Sequence, residues 1–176
     1  MAGVRLELDA KGAASALRDL VKRSRNPRPA FDQVGRILRQ HVVERFEHEE
    51  GPNRQPWKKS LRAKRQRGQT LTDTGRLRKS ITWNRLPDGV EVGTNVVYAA
   101  IHQFGGKTKP RIIRPKRAKA LAFRVGNVAG GRGVLRFASK VRHPGSRIPA
   151  RPFLGIDDRD RRAIRRIIDR HLLRGL

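Results

Sequence analysis

The stretch from residue 87 to residue 106, PDGVEVGTNVVYAAIHQFGG, constrains the fold more than any other part of the sequence. It opens with a turn, because Pro87 presets φ and Gly89 accepts a positive φ. The turn separates two short segments that are compatible with β structure, 81–86 and 90–94. The sequence therefore predicts a β-hairpin here.

A short helical turn is predicted directly after this hairpin. Thr94 and Asn95 are residue types that cap helix N-termini, and they precede residues 97–104. Ile101 and Phe104 would lie on one side of that turn. Two glycines follow, and they end the helix and let the backbone change direction.

Apolar periodicity predicts the elements on either side. Val4, Leu6 and Leu8 alternate with polar residues, which indicates a short strand. Helical spacing and capping residues predict four helices, over 13–23, 30–49, 72–80 and 157–174.

Two further strand-like segments, 120–125 and 134–141, surround a glycine-rich tip and predict a long hairpin. We therefore expect one domain over 1–176, in which 107–142 projects as an arm. The element order predicts an α+β fold: an antiparallel sheet with helices packed on one face, plus the basic hairpin arm.

Charge decides which partners such a chain can have. The formal net charge is +27, from 42 Lys and Arg against 15 Asp and Glu. Repulsion disfavours a compact isolated monomer, and the charge favours nucleic acid, an acidic protein surface or an anionic membrane as partner. No apolar run approaches the ~20 residues of a membrane span, and the N-terminus lacks a signal-peptide core. We therefore expect a soluble intracellular protein with no membrane partner.

The positive charge is concentrated in two stretches, 54–67 and 107–119, each with seven basic residues and no acid. They have few aromatic side chains, so base stacking is disfavoured, and any nucleic-acid contact would be to phosphate alone. We expect the main use of both stretches to be docking on acidic protein neighbours. The residues expected to contact a partner or phosphate are Lys58, Lys59, Arg62, Lys64, Arg65, Arg67, Lys107, Lys109, Arg111, Arg114, Lys116, Arg117 and Lys119.

No motif for catalysis, metal or cofactor binding stands out. Asp157, Asp158 and Asp160 are interpreted as the acidic start of a helix rather than a divalent-metal site. The five histidines lack metal-ligand spacing, and His41 is expected to be exposed on its helix. The chain has no cysteine, which excludes disulfides and Cys-based zinc sites. We expect a protein that is not an enzyme and binds no cofactor.

Three blocks in this order, TGRLRKSI (74–81), VGTNVVYAAIHQFGG (92–106) and IPARPFLG (148–155), resemble the phage virion morphogenesis family. A Pro-Trp pair at 56–57 precedes them. The segment 107–142 does not match the family pattern closely. The structural residues that we assign to these motifs are Trp57, Gly75, Leu77, Tyr98, Ile101, Phe104, Pro152 and Phe153.

The resemblance implies a tail completion (tail terminator) or head–tail joining protein of the virion, at the tail and neck, assembled in the host cytoplasm. It implies a homo-oligomeric ring, usually a hexamer, whose partners are the tail tube and neck or connector proteins. The alternative is a non-specific nucleic-acid-binding protein. Within the chain, we expect Tyr98, Ile101 and Phe104 to pack with Leu77, Ile81 and the Phe153-Leu154 pair.

Overall fold

The computed structural model describes residues 11–125 and 133–174. The strand expected over 4–8 and most of the glycine-rich tip lie outside these residues. The described part contains six α-helices, a 3₁₀ turn (Pro52–Arg54) and eight strands, which confirms the α+β class. The helices are α1 Lys11–Ser24, α2 Arg28–His48, α3 Leu61–Gln66, α4 Arg76–Lys79, α5 Ala99–Phe104 and α6 Asp158–Leu173. The strands are β1 Thr82–Leu86, β2 Gly89–Gly93, β3 Gly106–Lys107, β4 Arg111–Ile113, β5 Leu121–Val125, β6 Val134–Ala138, β7 Val141–His143 and β8 Arg147–Ile148.

The chain divides into two compact units. The first unit draws on Met1–Ala99 and Arg151–Leu176, and the second unit on Ala100–Ala150. None of the described helices is both long enough and apolar enough to cross a membrane.

Helix α2 is the centre of the first unit. It packs against α6 and against the β1–β2 hairpin, while α1 contacts α6. The helix has proline in its first turn, where a missing N–H costs nothing. It ends at Glu49, which adopts the left-handed conformation and donates its N–H to the Arg45 carbonyl. The helix predicted over 30–49 is confirmed within two residues.

The core of the first unit packs against Val42 and Phe46 of α2. Phe46 is fully buried, and its ring centroid lies 5.5 Å from that of Trp57 and 5.2 Å from that of Phe153. Each of the three family-like blocks contributes to this core, so it joins segments that are far apart in sequence. The buried members of the cluster are Val42, Phe46, Trp57, Leu77, Ile81, Val96, Ala99 and Phe153.

The middle block enters this core differently from our expectation. Helix α5 starts at Ala99, two residues later than predicted, so Val96 and Ala99 are the buried positions. Tyr98 is 41% exposed and Phe104 is 79% exposed, so their predicted packing in the core is wrong. Ile101 is half-buried and belongs to the second unit.

The start of α4 also differs from the sequence prediction. A helix was expected to begin at residues 72–74, but the N-cap is Gly75, with a φ of 74°. This left-handed conformation favours glycine, which explains the glycine of the first family-like block. Gly75 itself is buried.

The described strands form four separate two-stranded antiparallel ladders, not the single sheet that was predicted. In the second unit β3 pairs with β8, β4 with β7 and β5 with β6. The pairs are nested, so each strand finds its partner across one long hairpin, and the short ladders are interrupted by turns. The predicted hairpin of 120–125 and 134–141 is confirmed as β5–β6, with β7 beginning at Val141.

A close contact between α2 and the hairpin supplies a test of this packing. A Cβ atom on Gly35 would overlap the ring of Trp83 on β1. We expect Gly35→Ala to lower the melting temperature, because overpacking costs about 1–3 kcal/mol and alanine regains only ~1 kcal/mol in helix propensity. Gly12→Ala on α1 is the control, since nothing lies within 4 Å of its Cβ position. Equal melting curves for the two variants would contradict the packing of Trp83 on α2.

Candidate interaction surfaces

A buried ionic cluster joins α2 to the start of α6. Arg45 Nη2 donates to Asp160 Oδ2 at 2.6 Å and to Asp157 Oδ2 at 3.0 Å. His41 Nδ1 lies 2.5 Å from the other oxygen of Asp160. Asp160, His41 and Arg45 are 1%, 5% and 4% exposed. The cluster therefore pairs its charges with each other rather than with solvent.

The same arginine fixes the chain that enters α6. Arg45 Nη1 donates to the carbonyls of Phe153 at 3.1 Å and Gly155 at 2.8 Å. Asp157 caps α6 by accepting from the Asp160 N–H, and Asp160 accepts from the Asp157 N–H in return. This reciprocal capping satisfies two N–H groups of the first turn. The cluster is a structural clasp on the third family-like block.

Three carboxyl groups in the first unit have lowered pKa values. Burial alone would raise the pKa of Asp157, but the Asp160 N–H, the Arg45 guanidinium and the Asn53 N–H together lower it. At Glu49, burial would also raise the pKa, but hydrogen bonding from Thr70 and the charge of Lys59 lower it. At Glu44, burial would raise the pKa, but hydrogen bonds from Gln40 and Arg159 and the charge of Arg159 lower it. These three carboxylates therefore stabilise the folded state when they are ionised.

The prediction that the acidic triplet starts a helix is confirmed, because Asp157 is the N-cap of α6 and Asp158 and Asp160 lie in its first turn. The described residues contain no group of three or more His, Cys, Asp and Glu that could hold a metal ion. His41 was expected to be exposed and is instead buried, because it faces α6 rather than solvent. The sequence signal for a shared environment was the spacing of four residues that places His41 and Arg45 on one helix face.

A cleft lies beside this cluster. Its volume is about 330 Å³, and none of its described lining residues is a Ser, Thr, Cys, Lys or Tyr. It mixes acidic and basic side chains around the buried clasp. Its lining residues are His41, Glu44, Arg45, His48, Glu50, Gly51, Asn53, Arg54, Asp157, Asp158, Arg159 and Arg162.

The first basic stretch, 54–67, contains the core residue Trp57. Trp57 Nε1 donates to the Pro152 carbonyl at 2.9 Å, and Arg151 Nε donates to the Lys58 carbonyl at 2.8 Å. These bonds hold the stretch against the third family-like block. Ser60 caps α3 by accepting from Ala63. The backbone here is thus fixed while most of its basic side chains face solvent.

Two of the basic residues in this stretch have local partners. Lys59 lies 3.6 Å from Glu49, and half-buried Arg62 lies 3.4 Å from Asp73. Arg62 also donates to the Gln69 carbonyl at 2.6 Å. The other predicted contact residues of the stretch are exposed and form no ion pair with a described carboxylate: Lys58, Lys64, Arg65 and Arg67.

The second basic stretch, 107–119, lies in the second unit, so the two stretches belong to different parts of the molecule. All seven of its predicted contact residues are exposed. None forms an ion pair with a described carboxylate. They are Lys107, Lys109, Arg111, Arg114, Lys116, Arg117 and Lys119.

The β5–β6 hairpin carries apolar side chains on both of its faces. The register pairs Val125 with Val134, which places Phe123 on their face and leaves Leu135 and Phe137 on the other. All five are exposed, and Phe137 is 68% exposed. Isolated two-stranded hairpins are marginal in water, and exposed apolar patches mark interaction sites. Sequence reasoning expected an arm here but identified only its charge.

The second unit as a whole lacks a buried residue among those described, 100–125 and 133–150. The chain itself therefore supplies little hydrophobic stabilisation to this unit. Phe104 and the β5–β6 hairpin each expose apolar side chains, and the hairpin also exposes Arg124 and Arg136, which is a chemistry suited to protein contact.

Comparison with known proteins gives two matches. The model of the phage virion morphogenesis family matches residues 8–173. The curated protein "Mu-like prophage FluMu G protein 2" of Haemophilus influenzae is 36% identical over 99 residues, which cover 56% of this chain and 67% of that protein. No solved structure shows a significant match.

Proposed function

Because this chain belongs to the phage virion morphogenesis family, we propose that it completes the phage tail and joins it to the head. It acts by binding alone, as a structural protein of the virion. Copies form a ring, six-fold like the tail, at the head-proximal end of the tail tube. One face of the ring contacts the tube and the other contacts neck or connector proteins. The family match over residues 8–173 carries this proposal.

The second unit supports self-assembly as the mode of action. It has no buried residue among those described, and it exposes Phe104, Phe123 and Phe137. A neighbouring copy in a ring would cover such side chains and replace the missing core. The arm, residues 107–142, is proposed to make this contact.

The exposed basic stretches support binding to acidic neighbours. Twelve of the thirteen residues predicted to contact a partner are exposed, and only Arg62 is half-buried. Exposed charges fix the orientation of a partner and speed association more than they add affinity. The stretches 54–67 and 107–119 are therefore proposed to orient the ring on its tail and neck partners.

Ring assembly is the property to measure. We expect the full chain to form a closed ring when purified tail tubes are added, as seen by native mass spectrometry and sedimentation. Phe137→Ser should prevent ring closure and leave the melting temperature nearly unchanged, because this side chain is 68% exposed. Leu17→Ser on α1 is the matched control, since Leu17 is 64% exposed and lies outside the arm.

The outcomes separate the parts of the proposal. A chain that remains monomeric on tail tubes refutes the ring. A ring that forms equally well with Phe137→Ser and Leu17→Ser removes the arm from the contact and leaves the ring itself intact.

Non-specific binding of nucleic acid is the second candidate, and the net charge of +27 favours it. Phosphate contacts release counterions, so affinity for a random duplex should fall steeply between low and moderate salt. Retention of ring formation at a salt concentration that abolishes duplex binding would assign the basic stretches to protein partners.

A further inference from the structure

A shallow groove runs between α2 and α6 on the first unit. Its floor is apolar and consists of Ile37, Ala163 and Ile167, and its volume is about 390 Å³. Ala163 is buried, and the two isoleucines are half-buried. The floor results from the meeting of two amphipathic helices whose apolar stripes are wider than their contact. It lies apart from the arm and from both basic stretches in sequence.

Three exposed arginines border this groove: Arg36 from α2, and Arg166 and Arg170 from α6. None of them forms an ion pair with a described carboxylate. Other arginines on the same two helices are paired, as Arg159 is with Glu44 at 2.7 Å and Arg45 with Asp160 at 2.6 Å. The three groove arginines therefore retain their charge and their planar donor groups for a partner.

This combination of an apolar floor and an arginine border selects one kind of partner. A carboxylate can accept two parallel hydrogen bonds from one guanidinium, and an aliphatic side chain can fill the floor. A nucleic-acid backbone satisfies the arginines but leaves the apolar floor unfilled. An uncharged apolar helix fills the floor but leaves the arginines without anions.

A second copy of this chain is a poor source of the carboxylates. Seven of its acidic residues already form ion pairs: Asp32, Glu44, Glu47, Glu49, Asp73, Asp157 and Asp160. With 42 basic residues against 15 acidic ones, two copies also repel each other wherever they make no specific contact. A different and acidic protein is therefore the better source of the complementary charge.

We propose that the α2–α6 groove is a docking site for an acidic amphipathic segment of another protein. Its apolar side chains lie on Ile37 and Ile167, and its carboxylates bind Arg36, Arg166 and Arg170. Such a segment follows the helix-in-groove mode of recognition, with apolar residues three or four positions apart. The groove residues belong to the first unit and the arm belongs to the second, so this site gives the protein a contact beyond the arm, on the α2–α6 face of the first unit.

The test uses a fluorescein-labelled synthetic peptide of about five helical turns, with leucines at helical spacing flanked by glutamates. Its binding to the full chain is followed by fluorescence anisotropy at physiological salt. Two control peptides replace either all leucines by serine or all glutamates by glutamine. We expect the parent peptide to bind at least about tenfold more tightly than either control, a difference of ~1.4 kcal/mol.

Charge reversal on α6 supplies the matched protein variants. Arg166→Glu with Arg170→Glu removes two arginines of the groove, and Arg161→Glu with Arg165→Glu makes the same charge change elsewhere on that helix. We expect the groove variant to lose at least about tenfold in affinity for the parent peptide, and the control variant to lose much less. Circular dichroism of both variants checks that α6 remains folded.

Equal losses in the two variants would overturn the proposal, because peptide binding would then follow overall charge. Equal binding of the serine control peptide would also overturn it, since the apolar floor would have no role. If the groove variant loses as much affinity for a labelled DNA duplex as for the parent peptide, the groove is assigned to phosphate binding instead.

Discussion

Phe153→Ala is expected to lower the melting temperature by roughly 6–20 °C, the shift that ~3–5 kcal/mol produces in a domain of this size. Phe153 is fully buried, and its ring lies 5.2 Å from that of Phe46. Alanine leaves a cavity that Phe46, in the last turn of α2, is too closely packed to fill. The loss is a large share of the ~5–15 kcal/mol that stabilises a typical domain. Thermal unfolding followed by circular dichroism measures it.

Phe104→Ala is the matched control, because it deletes the same ring from a side chain that is 79% exposed. Its melting temperature should stay close to that of the parent, since surface substitutions usually change stability by no more than ~0.5 kcal/mol. Any defect of Phe104→Ala should appear in assembly instead. If Phe104→Ala unfolds as early as Phe153→Ala, the assignment of core and surface is reversed.

Asp160→Ala is expected to destabilise the chain by about 3–5 kcal/mol, the usual result of removing one partner from a buried ion pair. The substitution leaves Arg45 and His41 buried without their shared carboxylate, which lies 2.6 Å and 2.5 Å from them. It also removes the N3 side chain of the capping box. The segment from Phe153 to the start of α6 should then loosen from α2. Denaturant unfolding of the purified chain measures the effect.

Asp158→Ala is the control for this substitution. Asp158 is exposed in the same first turn of α6, so its removal costs only the helix-dipole contribution of ~0.3–1 kcal/mol. Similar unfolding midpoints for Asp158→Ala and Asp160→Ala would show that the clasp contributes little.

The clasp also gives stability a defined dependence on pH. Burial alone would raise the pKa of Asp157, but the Asp160 N–H and the Arg45 guanidinium lower it in the folded chain. A lowered pKa means that the stabilisation is fully present above the unfolded value of about 3.9 and is lost as pH falls through the folded value. Unfolding measured from pH 7 to pH 2 should therefore show a loss of stability below about pH 4, and Asp157→Asn should reduce that loss.

Helix and hairpin positions could be read from the sequence because local chemistry determines them. The apolar stripe of α2, the Pro87-Asp88-Gly89 turn and the acidic start of α6 each act over a few residues. The hairpin that became β5–β6 was visible from alternation alone. The family-like blocks were also visible, since each combines apolar residues with a glycine or proline that fixes backbone direction.

The single-sheet prediction was wrong because alternation indicates a strand but not its neighbours. Each described strand pairs with one partner, and the nested pairing in the second unit leaves no third strand beside any of them. The basic stretches were likewise visible as charge, but the α2–α6 groove was not, because its two walls lie far apart in the sequence.

The sequence by itself therefore determined the α+β class, most of the predicted element boundaries and the presence of a hairpin in a basic arm, but not the apolar faces of that hairpin. Only the tertiary structure decided which faces are buried: His41 and Asp160 inside, Tyr98 and Phe104 outside. Periodicity places residues on a common helix face without stating what that face meets, and a start of α5 two residues later turned Val96 and Ala99 inward instead. The ionic clasp joins residues 115 positions apart, and a contact of that range forms only when α2 and α6 pack together.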